Sequence, residues 1–424
     1  MKASGDSKRR NFIKQAMVAA GMGLLPVPVM ASTEPDEFKI DRKKKIPKPC
    51  SPQSWIKKGK VIEPSYELGH QFVQNFNSPA EPLGDGKWRV WYCANPPSPD
   101  RPNIAMAEGV PGEKMISHFA VLTEGEPDTS ARFSIGNLPA GWYPVQPVHI
   151  KLKNNRHRLY FWAHGPGIVR YLAAESDNGF HYKVIDPHTA CLYHFHDRAV
   201  EFVGTTASGL KLQAKSDQER KKNPRPGHEP VAPVELICND GTTVYQLDDG
   251  YFEMYVISLQ SLEKGDPRWA ANDNLAGYVR VMDRLISKDG LKWYGRKTVV
   301  APDFDLDPID QQFYYLNVTH TPRGRIGMLG HYRVKDQTMD VEWCFSKDGI
   351  HWERPYRNRP WLPRGWPGEP DSLSIYPASH LVYHDNKWSV FYTACNYVHN
   401  RKVTHGKPVS LIMLAETDSI WESD

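Results

Sequence analysis

The sequence has little of what most quickly assigns a chain to a class. Its 424 residues carry a formal net charge of only +4, with the basic residues dispersed, so the footprint of a nucleic-acid-binding protein is missing. The basic runs at 42–45 and 220–222 read as a solvated linker and a solvated loop. The six cysteines, at 50, 93, 191, 238, 344 and 395, are scattered. No pair has Cys-x-x-Cys or metal-ligand spacing. They read as buried free thiols, Cys93 and Cys395 being the pair in similar strands. No convincing amphipathic helical pattern follows residue 31. No glycine-rich nucleotide loop and no nucleophile elbow is found. The apolar stretch Ala16 to Leu25 is too short to read as a membrane span.

That stretch belongs to a leader. Ser7-Lys8-Arg9-Arg10-Asn11-Phe12-Ile13-Lys14 carries paired arginines followed by Phe and an apolar residue, and Val29-Met30-Ala31 fits small-residue cleavage. Residues 1–31 therefore resemble a twin-arginine export signal. The expectation is a periplasmic or secreted protein, folded before export and free of the membrane once the signal is removed. Residues 32–54 read as a charged, Pro-containing linker, and 55–424 as one domain.

What the sequence has in quantity is aromatic and turn-forming: 13 Trp and 35 Pro, with 11% aromatic residues. This favours a loop-rich β protein. Ser346-Lys347-Asp348-Gly349-Ile350-His351-Trp352 reads Ser-x-Asp-Gly-x-x-Trp, and Ser287-Lys288-Asp289-Gly290-Leu291-Lys292-Trp293 repeats it. A looser copy is Ser176-Asp177-Asn178-Gly179-Phe180-His181-Tyr182. Each follows an apolar β-type run, and Asp-Gly or Asn-Gly between such runs is a hairpin signal. The closing aromatic is expected to pack over the turn. Aromatic strand pairs alternate with these hairpins: Pro82 to Tyr92, Val148 to Trp162 turning at Asn154-Asn155, Thr243 to Tyr255 turning at Asp248-Asp249-Gly250, Phe313 to Tyr332 turning at Pro322-Arg323-Gly324, and Leu381 to Tyr392. Repetition at wide spacing is a repeat architecture. Five units of about four short strands cannot each bury both faces alone, and radial packing solves this. The expected fold is all-β, a five-bladed β-propeller.

The hairpins, the Tyr-rich second strands and the count of units resemble the five-bladed propellers of glycoside hydrolase families 43 and 32, the furanosidase-type enzymes. Asp340 to Pro355 and Ile375 to His399 look most like uncharacterised bacterial members. That resemblance implies a carbohydrate substrate and carboxylates near the axis, where one group protonates the leaving oxygen and another activates water or attacks. The family's first-unit aspartate has no obvious match; Glu67 and Glu81 are the nearest acids.

Candidate acids are therefore sought from the residues themselves. An axial acid should begin the innermost strand of a unit. Asp310, Asp371 and Asp240 stand before such strands, each with an alternative role as a turn or strand cap. Asp289 and Asp348 are set aside, since the hairpin explains them. Trp162, His164, Arg170 and Tyr171 form the densest polar–aromatic constellation, with His331 and His399 beside other aromatic strands; these are the candidate substrate-binding residues. Such a His, Tyr and Arg set also suits a polysaccharide lyase or other uronate-active enzyme, and aromatics alone would suit a non-catalytic glycan-binding propeller. His194-Phe195-His196-Asp197 has metal-binding residue types but lacks a placeable third ligand. No cofactor and no metal is expected in the site. A structural calcium on the axis is left open, with no ligand spacing to support it. The protein is expected to be a monomer.

Overall fold

In the computed structural model the described residues are 45–96, 100–203, 211–214, 237–263, 265–400 and 406–422. The leader, Lys43 and Lys44, and most of the polar stretch from Glu201 to Pro233 lie outside them. Among the described residues there is no α-helix; the chain is all-β apart from two short 3-10 turns.

Strand pairing gives sheets of ten, seven, five, four and two strands, the last being Val200–Val203 with Lys211–Ala214, and within the other four sheets five mainly antiparallel groups of about four strands follow one another along the chain. The first is Phe72–Gln74, Lys87–Asn95, Asn103–Gly109 and Met115–Phe119. The second is Tyr143–Lys151, His157–Gly165, Ile168–Ser176 and His181–Val184, widened by short flanking strands. The third is Thr243–Gln246, Phe252–Ser261, Tyr278–Ser287 and Tyr294–Val300. The fourth is Gln311–Thr321, Gly324–Arg333 and Thr338–Ser346, with Trp352–Glu353 and Pro360–Leu362 sharing its outer edge. The fifth is Ser374–Pro377, Lys387–Cys395, Ser410–Thr417 and, from the other end of the chain, Ile56–Ile62. A single parallel pairing, Met339 with Ser374, fuses the fourth and fifth groups into one sheet. The five aromatic strand pairs expected from sequence are all present at their expected turns.

The last group is thus completed by an N-terminal strand. The segment just before it, expected to be linker, is also docked. Pro49 bridges Trp421, and the Cys50 N–H donates to the Ile420 carbonyl at 3.0 Å. Trp55 is buried edge-on against Trp361 at 5.2 Å.

Each group is bonded to the next. Trp162 Nε1 reaches Thr242 Oγ1 at 3.2 Å, Tyr245 OH accepts from the Val318 N–H at 2.8 Å, and Asn317 Nδ2 donates to the Pro377 carbonyl at 2.9 Å. The fifth returns to the first, where Ser379 N–H meets the Ser78 carbonyl at 3.1 Å and Asn75 N–H meets Thr393 Oγ1 at 2.9 Å. Glu81 of the first group bonds His149 of the second. Apolar side chains fill the interfaces, including fully buried Trp91, Trp162, Trp293 and Trp343.

The repeated motif works as a local hydrogen-bond device. Ser346 Oγ accepts from the Gly349 N–H, and one Asp348 oxygen accepts from the Ile350 and His351 N–H groups, all at 2.8 Å. The Trp352 indole N–H closes the turn on the Gly349 carbonyl at 3.0 Å. In the looser copy Asn178 Oδ1 does the work of the aspartate and Tyr182 OH, at 3.1 Å from the Gly179 carbonyl, does that of the indole. The hairpins also join neighbours: Tyr160 OH donates to the Gly290 carbonyl of the next group at 3.0 Å. A Cβ on Gly290 would stand 2.5 Å from that hydroxyl, so the glycine serves close approach as well as its φ of +73°.

All six cysteines are buried thiols outside any disulfide. Cys93 and Cys395 do not pair.

Candidate functional site

The chain enters the third group through Asn239-Asp240-Gly241-Thr242, immediately before the strand Thr243–Gln246. The turn is tight. Gly241 has a φ of +51°, and a Cβ there would come within 2.7 Å of Ile257 and closer still to the Tyr314 carbonyl. Gly241→Ala is accordingly expected to lower the thermal midpoint by several degrees, because both the backbone conformation and the space exclude a methyl group. A melt indistinguishable from wild type would show that the turn can move.

This turn aims Asp240 at its neighbours. Gln146, from the first strand of the second group, donates its Nε2–H to Oδ1 at 2.8 Å. Tyr314, from the first strand of the fourth, donates its hydroxyl to Oδ2 at 2.8 Å. Cys238 Sγ lies 3.8 Å from the same oxygen; burial pushes that thiol up to about 12, so it stays an S–H donor. Three strand groups thus converge on one half-buried carboxylate. A carboxylate has about four lone-pair sites, so acceptor capacity is left for a ligand.

Two histidines share this neighbourhood. His164 stacks on Tyr143 at 5.5 Å and accepts at Nε2 from the Asn239 amide at 3.3 Å. Burial lowers its pKa, partly countered by the charge of Asp240, so the neutral ring is favoured. His194 is buried and accepts at Nδ1 from the His196 N–H at 3.1 Å. Burial first, then His196, holds it down to about 3, and it too feels Asp240 and His164.

Behind Tyr314 lies a sealed ion pair. Arg280 is fully buried and reaches Asp273 at 2.6 Å, Gln312 Oε1 at 2.7 Å and Asn274 Oδ1 at 2.7 Å. Its guanidinium lies 5.6 Å from the Tyr314 ring and 5.2 Å from the Tyr332 ring, while Tyr332 OH donates to Asp273 at 3.0 Å. The His399 ring rests against Tyr314 at 4.9 Å and Tyr332 at 5.2 Å. Burial would raise the pKa of Asp273, but the Arg280 charge and hydrogen bonds hold it below the usual range. Asp273 is therefore fully engaged.

Of the residues singled out in the sequence, the structure brings together Asp240, His164 and His399. Asp310 instead meets Arg333 at 2.6 Å and the Lys335 N–H at 3.0 Å, closing the Arg333–Gln337 turn as a strand cap. Asp371 is 1% exposed and bound by Lys57 Nζ at 2.6 Å and Tyr392 OH at 3.1 Å, which ties the N-terminal strand to the fifth group. Trp162 and Tyr171 are fully buried, their rings 5.2 Å apart, so they offer no face to a ligand. Arg170 is buried in an ion pair with Asp197 at 2.9 Å. That pair also takes Asp197 from the His194–Asp197 stretch considered as a metal cluster. His331 is buried and bonds Asn358 Oδ1 at 2.8 Å. Gln146, Tyr314 and Arg280 were not singled out, and His194 was considered only as a metal ligand. Only Gln146 carried a signal, since Pro144 and Pro147 bracket it in a strand where proline marks irregularity.

No family model and no curated protein matches the sequence. Solved structures do match in fold. One is an N-acetylgalactosamine deacetylase from F. plautii in complex with blood group B trisaccharide, at 15% identity over 86% of this chain and 95% of that one, with a TM-score of 0.52. A second, described as a glycoside hydrolase, has 13% identity over 88% and 94%, with a TM-score of 0.50. A third, solved as an RGII complex, has 13% identity over 89% and 94%, with a TM-score of 0.51. The protein therefore shares its fold with carbohydrate-active proteins.

Proposed function

We propose that this chain is a glycan-active enzyme of the glycoside hydrolase type, built as a five-bladed β-propeller with Asp240 at its reacting centre. The observation that carries the reading is the convergence of three strand groups on that one carboxylate. The cyclic succession of bonds between groups, closed by the strand Ile56–Ile62, supports the propeller. The carbohydrate-active fold neighbours support the substrate class.

Glycoside cleavage needs a group that activates water or attacks the anomeric carbon, and a proton for the leaving oxygen. Asp240 fills the first role. Its oxygens are fixed in direction by Gln146 and Tyr314 and keep lone pairs for water or a sugar hydroxyl. Tyr314 OH is the hydroxyl already bonded to Asp240, and burial, then the Asp240 charge, hold it well above its ordinary pKa, so the proton for the leaving oxygen is assigned to no residue here. His164 and Tyr143 supply an imidazole and an aromatic face beside it.

One observation favours a second reading. Among the described residues no other carboxylate hydrogen-bonds into the Asp240 cluster, while His164 places an imidazole beside it, its pKa lowered by burial and partly restored by Asp240. That suits a uronate elimination. Against it, Arg170 is spent on Asp197. The test is product analysis on neutral and uronate-containing oligosaccharides: new reducing ends without an unsaturated sugar support hydrolysis, and unsaturated uronate supports the elimination.

The connector entering the fifth group adds a recognition element. Trp366 is 80% exposed, yet its turn is pinned, with its N–H on Glu369 Oε2 at 2.8 Å and Glu369 N–H on its carbonyl at 3.0 Å. An exposed indole on a turn whose backbone is pinned can serve as a platform for a sugar ring. Trp366→Ala should raise KM about three- to tenfold, the scale of one aromatic contact, with kcat and the melting point unchanged. Unaltered KM across every cleaved glycan would remove Trp366 from the site.

Export by the Arg9-Arg10 leader is part of this proposal; the leader lies outside the described residues. No described helix is long and apolar enough to cross a membrane.

A further inference from the structure

Gln146 has a backbone its side chain does not explain. Its φ is +54°, in the left-handed region that non-glycine residues seldom occupy. It also precedes Pro147, and a following proline ordinarily forces an extended conformation. The strand register records the cause. Tyr160 pairs with Val148 and Trp162 with Val145, so Gln146 and Pro147 together stand opposite Phe161. This is a β-bulge, and bulges re-aim side chains.

Two contacts and one open acceptor surround this residue. The carboxamide Nε2 donates to Asp240 at 2.8 Å. The backbone N–H of Gln146 points at the buried Cys93 sulfur. Its Oε1 is buried with no donor among the described residues. A buried acceptor left without a partner is costly, and a strained residue persists only where its surroundings over-determine it.

We propose that the bulge at Gln146–Pro147 holds Gln146 in a strained conformation in order to position Asp240. The inference rests on the reading that Asp240 is the reacting centre, and it deepens that reading. In a regular strand a glutamine here would follow the alternation of its neighbours; the extra residue turns its amide onto the carboxylate instead. The side chain then fixes one Asp240 oxygen through Nε2.

Two variants test this. Gln146→Gly relieves the strain, since glycine adopts positive φ without a Cβ penalty. Its thermal midpoint should equal or exceed that of wild type while kcat/KM falls about 10- to 100-fold, the scale of a hydrogen bond to a charged group. Gln146→Glu keeps the length but sets a carboxylate against a carboxylate. The acid limb of its kcat–pH profile should move up by about one unit or more. A Gln146→Gly protein that is less stable yet fully active, or a Gln146→Glu protein with an unmoved profile, would overturn the proposal. If the wild-type protein cleaves no glycan, the functional reading falls instead. The positioning claim is then read from the Asp240 carboxyl resonance, assigned with Asp240→Asn. An upward-shifted titration in Gln146→Glu supports it, and an unchanged one overturns it.

Discussion

Asp240→Asn should lower kcat/KM on any cleaved glycan by about 10²- to 10⁴-fold, the range for removing a positioned acid–base group, and leave the melting point near that of wild type. The amide is isosteric and retains an oxygen for the Gln146 Nε2–H, so packing of the turn is preserved while its basicity is lost. Asp371→Asn should do the opposite. Asp371 is almost fully buried against Lys57 and Tyr392, and it ties the N-terminal strand to the fifth group. Neutralising it leaves the Lys57 ammonium unpaired and should lower the melting point with little change in kcat. Kinetics and melts on both variants check the pair. Equal losses of activity with no loss of stability would place the reacting carboxylate elsewhere.

Glu253→Ala should be the most destabilising single change in the third and fourth groups. Glu253 is 0% exposed and accepts from Arg284 Nε at 3.0 Å, Arg325 Nε at 3.0 Å and His320 Nε2 at 2.6 Å. Two of those donors, Arg325 and His320, come from the fourth group, so the cluster joins one group to the next. Removing the central carboxylate leaves buried cations facing one another, at a cost of about 3–5 kcal/mol. The acid dependence follows from the same contacts. Burial would raise the Glu253 pKa, but the His320 hydrogen bond and the charges of Arg325, His320 and Arg284 prevail and hold it far below the usual range. A carboxyl whose folded pKa is depressed contributes stability that is complete above its unfolded value, about 4.3. That contribution is lost as the pH falls through the folded value. Urea melts at about pH 7 and about pH 3 should therefore show a steeper acid loss in wild type than in Glu253→Gln. Equal loss in both would separate this cluster from acid stability.

Much of the strand architecture was legible because its signals are local. Ser-x-Asp-Gly-x-x-Trp encodes its own hydrogen bonds, and Asn178 and Tyr182 show that the looser copy preserves them with different atoms. Asp289 and Asp348 were correctly assigned to turns for that reason. The docking of Pro49 and Cys50 was not legible, since their partners lie near the other end of the chain. The site was harder still. Asp310, Asp371 and Asp240 look alike in sequence, each standing before an inner strand. What separates them is whether a distant cation arrives: Arg333 for Asp310 and Lys57 for Asp371, but Gln146 and Tyr314 for Asp240. The glycine after Asp240 suggested a mere turn, whereas here the turn is what carries the carboxylate to its neighbours. Likewise Trp162 shares a strand face with His164, but it and Tyr171 pair in the buried middle of the sheet while His164 stands near the strand end, and the ion pair with Asp197 draws Arg170 into the interior.

The measurement closest to the central claim is product analysis of wild type and Asp240→Asn on a panel of neutral oligosaccharides. Wild type should release new reducing ends from at least one glycan, and the variant should release none. Undiminished release by Asp240→Asn would contradict it.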